Sequence, residues 1–89
     1  SVGRAIVKIL YFAWLRERLN RGSEEVSPPE HIATVADLID WLADRDEAFA
    51  HAVAKRSLIR SAVDARLVPH ETPIAGASVI AFFPPMTGG

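Results

Sequence analysis

The residues best suited to chemistry stand together at the end of the sequence, Pro84-Pro85-Met86-Thr87-Gly88-Gly89. Neither proline can donate to a sheet ladder, and each holds φ near about −65°. They end any strand that precedes them and send the chain out extended. Six extended residues reach up to about 20 Å, far enough to enter a pocket on another protein. Gly88 and Gly89 lack a Cβ, so they fit a narrow tunnel and adopt backbone conformations closed to other residues. The reacting group of such a tail is the α-carboxylate of Gly89. A carboxylate acylates poorly and has to be adenylated with ATP first. No GxxxxGK phosphate loop is present, so the ATP is expected on a partner. A nucleophile can then displace AMP, and sulfur in that role would leave a thiocarboxylate. The sequence has no cysteine, so any sulfur it carries is expected on Gly89.

The other polar residues offer less. His31, His51 and His70 are far apart and share no ligand spacing, so no metal site is expected. Asp37, Asp40 and Asp44 read as a solvated helix flank, and Arg16 and Glu17 as exposed charges on a short helix. No Ser-His-Asp arrangement or nucleophile elbow occurs.

The elements that must present the tail can be read from the hydrophobic pattern. Residues 4–12 form an expected strand, with Val7, Ile9 and Tyr11 on one face and Ile6, Lys8, Leu10 and Phe12 on the other. Lys8 assigns the second face to solvent, which leaves Leu10 and Phe12 as outward apolar residues. Residues 13–19 read as a short helix, 20–23 as a turn, and 24–27 as a short strand ended by Pro28-Pro29. Thr34 is an expected N-cap, with Asp37 as its capping-box acid. Val35, Leu38, Ile39 and Leu42 follow at helical spacing, with Trp41 at the edge of that stripe. A further helix is expected over 46–55. Residues 61–68 read as strand, turn and strand about Asp64-Ala65, and 72–76 as a loop or a single helical turn. Residues 78–83 read as a last strand, with Ile80 and Phe82 on one face and Val79, Ala81 and Phe83 on the other. Strands at both ends with a main helix between them predict an α+β sheet with that helix on one face. The expected division is a domain over residues 1–83 and an extended tail over 84–89.

The chain has 89 residues, 49% of them hydrophobic, which predicts one folded domain. Ten basic and eleven acidic side chains leave a formal charge of −1, unlike the basic excess of a nucleic-acid binder. No apolar run approaches the ~18 residues of a membrane span. The segment around Ser1-Val2-Gly3-Arg4 lacks the form of a secretory leader. A cytoplasmic protein, partnered by neither nucleic acid nor membrane, is the expectation.

The stretch Ala81-Phe82-Phe83-Pro84-Pro85-Met86-Thr87-Gly88-Gly89 resembles the ending of the MoaD family, the small sulfur-carrier subunits of molybdopterin synthase. The start is similar too, in Val7-Lys8-Ile9-Leu10-Tyr11-Phe12-Ala13 and Leu15-Arg16-Glu17, and Ala62-Val63-Asp64 stands where the family usually has Ala-Val-Asn. Gly76-Ala77-Ser78 lacks the acidic pair that the family often carries before its last strand. The resemblance implies the β-grasp fold shared with ThiS and ubiquitin, here a mixed sheet of about five strands with one main helix on one face. It implies that a MoeB-like enzyme adenylates Gly89 and that a sulfurtransferase supplies the sulfur. A large MoaE-like subunit would hold the catalytic residues and receive the tail, and sulfur would pass there to cyclic pyranopterin monophosphate. Gly88 and Gly89 are then the functional residues. Phe12, Phe83, Pro84, Pro85, Met86 and Thr87 become partner-binding, and the chain itself binds no cofactor. Two alternatives share the activated glycine: a ThiS-like carrier for thiamine biosynthesis and a ubiquitin-like protein modifier.

Overall fold

The computed structural model describes residues 6–85. The chain runs β1 (Val7–Tyr11), α1 (Ala13–Leu19), β2 (Ser23–Val26), α2 (Val35–Arg45), α3 (Glu47–Ala52), a 3-10 turn (Arg56–Leu58), β3 (Arg60–Val63), β4 (Arg66–Val68) and β5 (Val79–Phe83). The strands form one mixed sheet in the order β2-β1-β5-β3-β4. β1 and β5 run parallel at its centre, and the other pairs are antiparallel. This is the expected β-grasp arrangement.

Period-two alternation in β1 and β5 puts one side chain of each adjacent pair inward. Val7, Ile9, Tyr11, Ile80 and Phe82 are buried there, under Leu15 and Leu19 of α1 and Phe49 of α3. The rings of Tyr11, Phe49 and Phe82 meet with centroids 6.0–6.5 Å apart, within the range of favourable aromatic packing. All four residues of the α2 stripe, Val35, Leu38, Ile39 and Leu42, are buried. Thr34 caps α2 as expected: its Oγ1 accepts from the Asp37 N–H at 3.1 Å, and the Asp37 carboxylate accepts from the Thr34 N–H at 3.3 Å. Asp37 is therefore a cap as well as part of the acidic flank.

The differences from the sequence expectations are local. β2 begins one residue earlier than predicted, at Ser23, and β3 also begins one residue earlier, at Arg60. The helix expected over 46–55 is shorter: α3 ends at Ala52, and a 3-10 turn follows. Its start is set by Asp46, whose Oδ1 accepts from the N–H groups of Ala48 at 3.0 Å and Phe49 at 3.3 Å.

Arg21 ties the α1–β2 connection to that cap. Its guanidinium donates to the carboxylates of Glu24 and Asp46 and lies over the Tyr11 ring, 5.6 Å from the centroid. The Tyr11 hydroxyl donates to the same Glu24 carboxylate. Burial, then the neighbouring Glu24, pushes the Tyr11 phenol well above its usual pKa. The Arg21 hydrogen bond holds the Asp46 carboxyl below its usual value.

Candidate functional site

The helices cover one face of the sheet, and the other is open. Its composition follows from strand register. Leu10 pairs with Ala81 across the parallel centre, Ala81 with Ala62, and Ala62 with Leu67. Directly paired residues share a face, so Leu10, Ala81, Ala62 and Leu67 make an apolar row across four strands. The next row holds the two phenylalanines singled out from sequence. Tyr11 pairs with Phe82, and the Phe12 N–H donates to the Phe82 carbonyl at 3.2 Å. Phe12 therefore comes beside Phe83. Phe12 is 47% exposed and Leu67 is 67% exposed, while Phe83 is half-buried.

Local backbone geometry fixes this row. Phe12 is extended, and Ala13 at φ 56° turns the chain into α1 immediately after it. That turn leaves the Phe12 ring on the open face instead of under the helix. On the other strand, Phe83 leads into Pro84 and Pro85, both half-buried. Because β1 and β5 are parallel, Phe12 and the tail exit stand at the same end of the sheet.

The turn between β3 and β4 lies at the other end of the sheet and anchors the start of β5. Asp64 and Ala65 hold φ of 48° and 71°, the left-handed pair that a tight hairpin requires. The Asp64 carboxylate accepts from the N–H groups of Ser78 at 3.1 Å and Val79 at 3.0 Å, so the turn is fastened to the start of β5. Asp at this position supplies acceptors that use both of those backbone donors.

The open face is charged at only a few points. Lys8 stands across from Glu25 in the β1–β2 pair, and Arg60 stands across from Phe83 in the β3–β5 pair. Of the residues expected to bind partners, Phe12, Phe83, Pro84 and Pro85 are brought to one end of this face. Met86, Thr87, Gly88 and Gly89 lie outside the described residues. The strand pattern had not singled out Leu67, Ala62 and Arg60 as members of the face. Counting outward from the Asp64-Ala65 turn pairs 62 with 67 and would have found the first two.

The histidines stay apart. His70 Nε2 is 2.9 Å from the Ile59 carbonyl, and His31 and His51 are exposed. Among the described residues no cluster of three or more His, Cys, Asp or Glu side chains could hold a metal ion. None of the described helices is long and apolar enough to cross a membrane.

The sequence and the fold are similar to those of known proteins. The chain is 33% identical over 84 residues to the molybdopterin synthase sulfur carrier subunit of Escherichia coli, an alignment covering 94% of this chain and all of that protein. It is 32% identical over 84 residues to the subunit of the same name from Haemophilus influenzae, with the same coverage. Among solved structures, small archaeal modifier protein 1 of H. volcanii superposes with a TM-score of 0.72 at 22% identity, over 92% of this chain and 99% of that one. The last comparison speaks for the fold alone. The sequence model of the ThiS family matches residues 9–89, from the second inward residue of β1 through both glycines. With that pattern laid over a β-grasp sheet whose last strand leads into the prolines, the chain belongs to the ThiS family.

Proposed function

We propose that this protein is the sulfur-carrier subunit of a molybdopterin synthase. The observation that carries the reading is continuity: the open apolar face runs from Leu10 and Leu67 to Phe12 and Phe83, and Phe83 leads directly into Pro84-Pro85 and the paired glycines. A partner that covers this face receives the tail in the same step.

In this reading a Gly89 carboxylate oxygen attacks the α-phosphorus of ATP on a MoeB-like enzyme and pyrophosphate leaves. The terminal sulfur of a sulfurtransferase persulfide then attacks the acyl carbon and AMP leaves, and a partner thiol reduces the acyl disulfide so formed, releasing the sulfurtransferase thiol and the thiocarboxylate. The resulting thiocarboxylate enters a large MoaE-like subunit and gives its sulfur to cyclic pyranopterin monophosphate. The chain contributes the reacting carboxyl carbon, the slender Gly88-Gly89 lead and the docking face. ATP and the pterin are held by partners. The names of the 33% and 32% identical relatives support this assignment over a thiamine-pathway carrier.

Intact-mass measurement of protein from its native host tests the reading. The expected result is a population heavier by one sulfur-for-oxygen exchange, localised by fragmentation to Gly89. Deleting Gly89 should abolish molybdopterin formation while the thermal transition stays in place. Synthesis supported by the deleted variant would sink the proposal. Conjugates linking Gly89 to lysines of other proteins, without thiocarboxylate, would assign the chain to the protein modifiers instead.

A further inference from the structure

Among the described residues Arg60 is the one strand residue on the open face whose charge has no opposite charge across from it. It is exposed, and its direct neighbour on β5 is Phe83. Continuing the β3–β4 register one step places Pro69 on its other side. Among the described residues Arg60 makes no salt bridge and its side chain makes no hydrogen bond, in contrast to Arg21 and Arg56. The other outward cation, Lys8, has Glu25 directly opposite.

Any interface that covers Phe83 also covers Arg60, since paired residues on neighbouring strands lie side by side. A guanidinium never deprotonates in a protein, and burying it without a counter-charge is costly. An apolar partner surface would therefore be repelled at the point where the tail enters. From this we infer that the large-subunit surface that receives the face presents a carboxylate to Arg60, at the mouth of the cleft that admits the tail. A second copy of this chain is a poor occupant, because among the described residues the one strand carboxylate on its open face, Glu25, has the cation Lys8 directly across from it in the strand register and the Asp64 carboxylate is used by two backbone N–H groups. This inference rests on the docking reading above. It adds the orientation: an apolar contact alone permits several rotations of the sheet on its partner, and a charge pair at one end selects one.

The test measures binding of the full chain to the large molybdopterin synthase subunit of the same host, across a series of salt concentrations. Arg60→Gln should weaken binding about tenfold or more, and Arg60→Glu should weaken it further. The association rate of the wild type should fall with salt more steeply than that of Arg60→Gln. Arg60→Lys, which keeps the charge, should retain the salt dependence. Both neutral and acidic variants are expected to fold normally, because Arg60 is exposed and makes no ion pair among the described residues. Wild-type affinity in Arg60→Gln and Arg60→Glu, alongside loss of binding in Phe83→Asp, would overturn the inference and leave the docking face standing. Weakened binding with an unchanged salt slope would also overturn it, since neutral carbonyls or an aromatic ring would then be receiving Arg60. If the Arg60 variants altered self-association alone, the occupant would be a second copy and the inference would fail. Wild-type binding in Phe83→Asp itself would remove the docking reading beneath it.

Discussion

Ala65 carries a left-handed backbone, φ 71°, with a Cβ that this region disfavours. Its neighbour Asp64 shares the turn at φ 48° and is well suited to it, because its carboxylate is used by Ser78 and Val79. Ala65→Gly should therefore raise stability by about 0.5–1 kcal/mol, offset in part by the freer unfolded chain. A denaturant midpoint that falls would contradict that account of the turn. The sequence made this turn readable, since two residues between alternating segments leave little choice of geometry. It did not make Ser61 readable. Ser61 is fully buried on the inner side of β3, and no hydrogen-bond partner for its hydroxyl is present among the described residues. A lone polar residue reads as an outward position unless the register is known.

At the scale of elements, the Arg21–Asp46 contact joins the α1–β2 connection to the start of α3. It depends on charge. The Asp46 carboxyl is held below its ordinary pKa of 3.8, chiefly by the hydrogen bond from Arg21. A depressed folded pKa means that the contribution is complete above the unfolded value and is lost as pH falls through the folded value. Asp46→Asn keeps an acceptor for the Ala48 and Phe49 N–H groups but loses the charge. The gap in unfolding midpoint between wild type and Asp46→Asn should therefore be widest near neutral pH and close as pH drops below 3.8. A gap that stays constant down to strongly acid solution would show that the charge contributes nothing. Local pattern revealed α1 residue for residue and the cap of α2, because both are set by neighbours within one turn. It overran α3, because that helix ends where the chain must turn back toward β3, and it was silent on Arg21, whose partner lies 25 residues away.

For the molecule as a whole, the two faces of the sheet have different work, and a single substitution can separate them. Phe83→Asp places a carboxylate in the apolar row without touching the core, whose neighbouring member is the fully buried Phe82. Binding to the large subunit should drop by about two orders of magnitude, because the ring's apolar contact is lost and the new carboxylate, beside Arg60, competes with the partner's carboxylate for that guanidinium, while the thermal transition moves little. Equal losses in binding and folding would mean that Phe83 belongs to the interior. The inward and outward sets of β1 and β5 were legible because alternation states them outright. That four strands bring their outward members into one row was not, since pairing between β1 and β5 spans most of the chain. The same parallel pairing has a mechanical consequence. β1 begins at the end of the sheet opposite to the one where β5 finishes, and the two lie side by side. Tension applied along the tail, with the first strand held, slides these strands past each other and strains their hydrogen bonds together, whereas an unzipping load would break them singly. A partner can therefore grip and pull the tail without drawing the sheet apart.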